Sequence, residues 1–273
     1  MAEQAGVADA RVRASLEVRE PLERQLAPLG RAVIDRLRLD PGERVLDIGC
    51  GIGGTPLALA HAVGRGGEVI GADVSEAAID VASADPSRPP NVGFLRADAG
   101  RHAFTPGGFD AAFSRFGVMF FADPTAAFAN VMRALRPGGR LGFVCWRRLA
   151  ENELDALPLR AASAGLPAGL VAEAERSSHF SFADPDFLRE TLTRAGFAKV
   201  DIRPHDQEVG CGDLQGTVDV CSRFGSLGKI LREHPELRRE AVPALEKALK
   251  RRDGPNGPTL RAATWIVLAS APG

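Results

Sequence analysis

The sequence predicts an α/β fold built on an open, mostly parallel sheet, and three observations carry that reading. Short apolar, β-branched runs alternate with helical segments through the first half of the chain. One of these runs, RVLDIG, enters a glycine-rich turn at residues 49–54. After Trp146 the alternation lapses into stretches rich in Ala, Gly and Pro. Strands alternating with helices imply parallel pairing with both sheet faces covered, because each crossover lays a helix on the sheet.

Residues 1–20 are polar and Ala-rich and read as an arm or lid. Leu22, Leu26, Leu29, Val33 and Leu37 then recur at helical spacing. Pro28 lies inside that pattern and predicts two short helices rather than one. Pro41-Gly42 stops it, and RVLDIG follows. Further strands are EVIGAD (68–73), VGFLRAD (92–98), FDAAFS (109–114) and RLGFVCW (140–146). Helices are expected at Thr55–Val63 and Glu76–Ser83. A third begins with Asp123 as N-cap and Pro124 in the first helical position, and stops at Pro137-Gly138-Gly139. Beyond the lapse, Asp184-Pro185 opens a helix that Gly196 closes. AKVDIRPHD reads as a strand and residues 213–253 as helical, ending in the basic turn KALKRR that suits a helix C-terminus. WIVLAS (265–270) is the last strand.

Composition narrows the function classes. The 273 residues suit one large domain or a domain with an inserted part. A net charge of −1 gives no global field for nucleic acid or anionic lipid. The four cysteines, at 50, 145, 211 and 221, form no CxxC pair, so neither a zinc site nor a disulfide frame is expected. They read as reduced thiols of a cytoplasmic chain. The first twenty residues have no apolar core of a secretory signal, and no stretch reaches the roughly 18 apolar residues of a spanning helix. With no Tyr in the chain, no tyrosine serves as acid or base.

In an open parallel sheet, ligands sit at the carboxyl ends of the strands. The glycine turn is therefore the first place to look. A P-loop needs Lys after the glycines, whereas Gly53-Gly54-Thr55 stands here. Gly49, Gly51 and Gly54 fit the GxGxxG spacing of a dinucleotide site. Asp47, two residues earlier, and Gly53 complete D-x-G-x-G-x-G instead. A carboxylate beside a pyrophosphate is repulsive; beside a ligand ammonium it is favourable.

RVLDIGCGIGG, GADVSEAAIDVA, RADAG, SRFGVMFFADP and LRPGGRLGFVCW occur in that order. Together they resemble the successive motifs of class I S-adenosylmethionine-dependent methyltransferases, in the small-molecule branch similar to ubiquinone/menaquinone-biosynthesis C-methyltransferases. The resemblance is strong over about residues 40–146. It implies a Rossmann-like doubly wound seven-stranded sheet, mostly parallel with the last strand antiparallel, carrying helical cap insertions. Residues 1–37 would form a helical arm or lid and 38–273 the core, with caps at about 147–183 and 213–258. The implied cofactor is S-adenosyl-L-methionine, leaving as S-adenosyl-L-homocysteine, with no metal.

The cofactor-binding set carried over from the resemblance is Asp47, Gly49, Cys50, Gly51, Gly53, Asp73, Val74, Asp98, Ala99, Ser114 and Arg115. Asp47 would lie near the methionine ammonium, Asp73 would accept from the ribose hydroxyls, and Asp98 from the adenine amino group. The family usually has Ala-Gln after the last of these acids, whereas Ala99-Gly100 stands here. Cys50 reads as a small buried filler rather than a nucleophile. Phe116, Met119, Phe120 and Trp146 would line the acceptor site.

No catalytic residue is identified from the sequence; His179 and His205 are the candidates for a base. The absence of an unmistakable base predicts an easily ionised or neutral nucleophile and catalysis by positioning. The apolar cap residues Leu154, Leu157, Leu159, Leu166, Leu170, Phe180, Phe182 and Phe187 suggest a hydrophobic or aromatic acceptor, quinone- or polyketide-like, methylated on O, N or C. A non-catalytic cofactor-binding partner protein is the alternative, although such a copy would tend to lose Asp73 or the glycines. For a macromolecule methyltransferase, the [D/N]PP[Y/F] signature of base or amide N-methylation is absent where SRFG stands, and the near-neutral charge disfavours a nucleic acid substrate. A nicotinamide-dependent oxidoreductase is the remaining enzyme alternative. The oligomeric state is left as monomer or homodimer.

Overall fold

The computed structural model describes residues 12–174 and 178–273. Seven strands form one sheet: β1 (Arg44–Ile48), β2 (Glu68–Asp73), β3 (Val92–Arg96), β4 (Phe109–Arg115), β5 (Leu135–Trp146), β6 (Ala198–Gly210) and β7 (Thr259–Ser270). Their order is β3-β2-β1-β4-β5-β7-β6. β1, β2, β3, β4 and β5 pair in parallel, and β7 runs antiparallel between β5 and β6. Strand order reverses beside β1, so the crevice at the ends of β1 and β4 is the natural ligand position.

The strands bury both faces by simple alternation. Leu46, Ile48, Ala112, Phe143 and Cys145 pack on one side with Phe128 and Phe182. Val45, Phe113, Val144 and Ile266 pack on the other with Val33, Leu59 and Val63. The first side is covered by α4 (Pro124–Ala134) and α7 (Pro185–Arg194). The second is covered by α1 (Arg19–Leu37) and α2 (Gly54–Val63), while α3 (Glu76–Ser83) flanks β3. The predicted caps form: Asp123 accepts from the Ala126 N–H at 3.0 Å and Asp184 from the Asp186 N–H at 2.9 Å.

The arm departs from expectation. Pro28 lies inside one continuous helix, α1. The missing N–H of Pro28 is outweighed by a buried stripe of Leu29, Gly30, Val33, Ile34 and Leu37 that holds the helix to the sheet. Gly142 of β5 leaves the space that the Leu37 side chain fills. The helical break falls earlier, at Val18, after a helical stretch at residues 12–17. Residues 1–11 of the expected arm lie outside the described residues.

A helical layer stands where the alternation lapses. It comprises α5 (Glu153–Ala162), α6 (Ala168–Ala174), α8 (Leu214–Cys221), α9 (Gly225–Glu233) and α10 (Arg238–Leu249). Leu154, Leu159 and Leu166 pack there against Leu227, Ile230, Leu231 and Leu245. Asp155 reaches from α5 to the start of α9, accepting from the Ser226 N–H at 2.7 Å and the Ser226 hydroxyl at 3.1 Å. Burial pushes the Asp155 carboxyl up to about 6, against the lowering effect of the Ser226 hydrogen bonds. Among the described residues, no helix is long and apolar enough to cross a membrane.

Candidate active site

The glycine turn is built by backbone. Gly49, Gly51 and Gly53 all have positive φ, at 73°, 54° and 92°, a region open to glycine at no steric cost. The Gly49 and Cys50 N–H groups donate to the Ala72 carbonyl, tying the turn to the end of β2. Asp73 fixes the turn from the side: its carboxylate accepts from the Gly51 N–H and the Ser75 N–H, both at 2.9 Å. Each Asp73 oxygen retains a further lone pair. Val74 beside it is exposed.

Asp47 is completely buried beneath the turn. The Thr55 hydroxyl, from the first turn of α2, donates to its Oδ2. Its Oδ1 is buried with no hydrogen-bond partner among the described residues. Burial pushes the carboxyl up to about 7, opposed by the Thr55 hydrogen bond and the Arg115 guanidinium and reinforced by Asp73 and Glu23. A buried carboxylate oxygen without a donor is costly, and a cation or N–H donor placed there would be strongly favoured.

Cys50 is the buried filler expected of it, its sulfur pressed on Gly71. Burial raises its thiol well above the ordinary range, so it is no ready nucleophile. Asp98 is exposed and accepts from the Gly100 N–H at 2.9 Å. Ala99 is buried beside it. A Cβ on Gly100 would stand 2.8 Å from that of Ala127 in α4. Helix packing therefore explains why no longer side chain follows Ala99.

Ser114 was expected to bind the cofactor. It is completely buried, and its hydroxyl donates to the Ile48 carbonyl at 2.8 Å while the Gly117 and Val118 N–H groups point at it from 3.0 and 3.3 Å. These partners make it a staple between the loop after β4 and the end of β1. Met119 was expected to line the acceptor site. It is buried in the sheet core, and its carbonyl accepts from the Ser181 hydroxyl at 2.8 Å.

Arg115 keeps company that the sequence did not suggest. Its Nη1 and Nη2 donate to Glu23 Oε1 and Oε2 of α1, each at 2.7 Å. Glu23 shares the helical stripe that runs on through Gly30, Val33 and Leu37. A carboxylate on an otherwise core-facing stripe was the available signal, and it needed a partner 92 residues away to be read.

Next along the chain, Phe116 has φ 65°, an unusual conformation for a bulky residue that costs on the order of 1–2 kcal/mol. Its ring stacks on Trp146 at the end of β5, with centroids 3.9 Å apart and planes at 15°. Phe120 is exposed, and His179 meets it edge-on at 5.5 Å. These rings stand at the carboxyl ends of β4 and β5, beside the glycine turn. His205 lies instead on the outermost strand β6, with its Nε2 3.0 Å from Gln207 Oε1. The structure brings His179, and not His205, to the aromatic wall. The expected apolar lining of the cap mostly packs on itself: Leu154, Leu159 and Leu166 in the helical layer, Phe182 in the sheet core.

The methyltransferase-domain family matches residues 45–139, which span the glycine turn, Asp73, Asp98 and the aromatic segment. The chain is 30% identical over 205 residues to nocamycin O-methyltransferase of Saccharothrix syringae, covering 70% of this chain and 72% of that protein. It belongs to the S-adenosylmethionine-dependent methyltransferase family. It is also 29% identical over 185 residues to demethylmenaquinone methyltransferase of Staphylococcus haemolyticus, covering 63% of this chain and 75% of the other. Phosphoethanolamine N-methyltransferase 2 of Haemonchus contortus, solved with S-adenosyl-L-methionine, shares the fold at TM-score 0.58 and 19% identity, over 90% of this chain and 53% of that one. The chain is thus a methyltransferase with the Rossmann-like fold of its family.

Proposed function

We propose that this enzyme methylates a flat, hydrophobic small molecule of quinone or polyketide type, binding S-adenosyl-L-methionine on the glycine turn and the acceptor against Phe116 and Trp146. The observation that carries the acceptor class is the strained, stacked Phe116–Trp146 pair beside that turn. Strain in a bulky residue is retained where it positions a functional group, and a ring wall suits an aromatic partner. The names of two relatives, a nocamycin O-methyltransferase and a demethylmenaquinone methyltransferase, agree with that class.

The residues fit the cofactor. A Cβ at Gly51 would enter open space beside the turn, so backbone can lie close to a ligand there. The unpartnered Oδ1 of Asp47 suits an ammonium, and the spare lone pairs of Asp73 suit vicinal hydroxyls. Asp98 and the Ala99 backbone would hold the adenine ring. When bound, the cofactor supplies a methyl group made electrophilic by its sulfonium. The chain's own part is positioning: the aromatic wall holds the acceptor and excludes water, so that attack is in line. His179 is the base candidate that geometry favours for an acceptor needing deprotonation.

The test is a methyl-transfer screen with labelled S-adenosyl-L-methionine against hydroxylated quinones, aromatic polyketide phenols and alkylamines. Products are read by mass spectrometry. Transfer to the aromatic phenols or quinones, weakened in Trp146→Ala with unchanged cofactor affinity, is the expected result. Turnover confined to alkylamines would overturn the acceptor reading.

A further inference from the structure

The cofactor reading, on which this inference rests, leaves Glu23 unused. Glu23 belongs to α1, outside the segment that the family match covers. Yet its Oε2 would lie only 2.6 Å from a Cβ on Gly54, the residue where the glycine turn becomes α2. Its carboxylate is held there by a two-pronged pairing with Arg115, an arrangement that fixes orientation as well as charge. The Arg115 stem is seated on α1 itself, since a Cβ on Gly30 would stand 3.0 Å from its Cδ.

Below this pair lies Asp47, completely buried, with one oxygen unpartnered among the described residues. The charged groups acting on Asp47 are Arg115, Asp73 and Glu23. With Asp47 they make three carboxyl groups around one guanidinium. The unpaired oxygen and the acidic excess both call for a cation. The guanidinium, although paired, keeps three of its five N–H bonds for a second anion. A positive and a negative group on one carbon of a ligand would satisfy both requirements. An α-amino acid end has that pattern.

We infer that Glu23 is a recognition residue for the amino-acid end of the cofactor: α1 brings it to the glycine turn to share the ligand ammonium with Asp47 while steering Arg115 to the ligand carboxylate. The N-terminal helix is then part of the binding site, and a ligand without the amino-acid end gains nothing from Glu23.

The test compares wild type and Glu23→Gln by calorimetric titration with three probes. S-adenosyl-L-methionine and S-adenosyl-L-homocysteine carry the amino-acid end; 5′-methylthioadenosine keeps the nucleoside and lacks it. Glu23→Gln preserves shape and removes the charge. The expected result is a loss of about tenfold or more for the first two probes and no change for the third, in line with losing a charge-assisted contact. Binding of 5′-methylthioadenosine also verifies that the variant is folded. Equal weakening of all three probes would mean that Glu23 only holds α1 in place, and would overturn the inference. So would unchanged or tighter binding of S-adenosyl-L-homocysteine, which would make Glu23 a bystander or a competitor for Arg115. Failure of the wild type to bind any probe would refute the cofactor reading itself, and this inference with it.

Discussion

Cofactor binding should expel a proton from Asp47. In the unliganded fold, burial holds this carboxyl at about 7, against an ordinary value of 3.8. A folded value raised above the unfolded one favours folding below about pH 4 and loses that contribution as pH rises to about 7, in all about 4 kcal/mol. A ligand ammonium on Oδ1 reverses the preference, because the ionised form is then the paired one. Asp47 is about half ionised at pH 7 and about one-tenth ionised at pH 6, so affinity for S-adenosyl-L-homocysteine should fall about fivefold over that unit. A further unit of acid should cost about another tenfold. Over this range the ligand ammonium stays protonated, so the slope belongs to the protein. Calorimetric titration in buffers of different ionisation enthalpy counts the protons directly. Release should approach about one proton near pH 6 and about half a proton near pH 7. Asp47→Asn should bind more weakly at neutral pH, with the pH slope and the proton release both gone. A flat wild-type profile, or the same slope in Asp47→Asn, would refute the assignment of the ammonium to Oδ1.

Three further outcomes are expected. Asp155, raised to about 6 by burial, should make the protein lose about 3 kcal/mol as pH rises from about 4 to about 6; denaturant unfolding of Asp155→Asn should lack that loss. Ser114→Ala should destabilise by about 2–3 kcal/mol, because two N–H groups and a carbonyl lose a buried partner, while S-adenosyl-L-homocysteine affinity of the folded variant stays within about threefold. Neither His179→Ala nor His205→Ala should abolish turnover; a loss beyond about a thousandfold at His179, with cofactor affinity intact, would instead make it an essential base.

Features that depend on near neighbours in the chain were legible in the sequence. EVIGAD and Glu76–Ser83 coincide with β2 and α3 because strand runs, caps and turn residues act over a few positions. Asp123 and Asp184 were readable as caps for the same reason. Pro28 misled because a local rule was set against a long buried stripe. A helical cap at about 147–183 was implied by the resemblance, but its division into helices at Glu153–Ala162 and Ala168–Ala174 was not legible in the local pattern. Pro158 interrupts the first, and its support comes from α9 and α10, far along the chain. In the site, the glycines and Asp73 were recognisable from spacing. The loop-tying role of Ser114 was not, since a motif does not show which backbone groups a hydroxyl will meet. Glu23 escaped notice because its meaning lies in Arg115.

Gly49 and Gly117 touch: a Cβ on Gly49 would come within 2.8 Å of the Gly117 Cα, and one on Gly117 within 2.5 Å of the Ile48 carbonyl. The glycine turn proposed to hold the cofactor and the loop proposed to face the acceptor are thus meshed like two gear teeth with no backlash. Neither loop can be lengthened or re-aimed without moving the other and spoiling the line of methyl transfer. New acceptors are therefore most readily accommodated by remodelling the helical layer around α5, α6, α8 and α9, which can be recut while the meshed pair stays still.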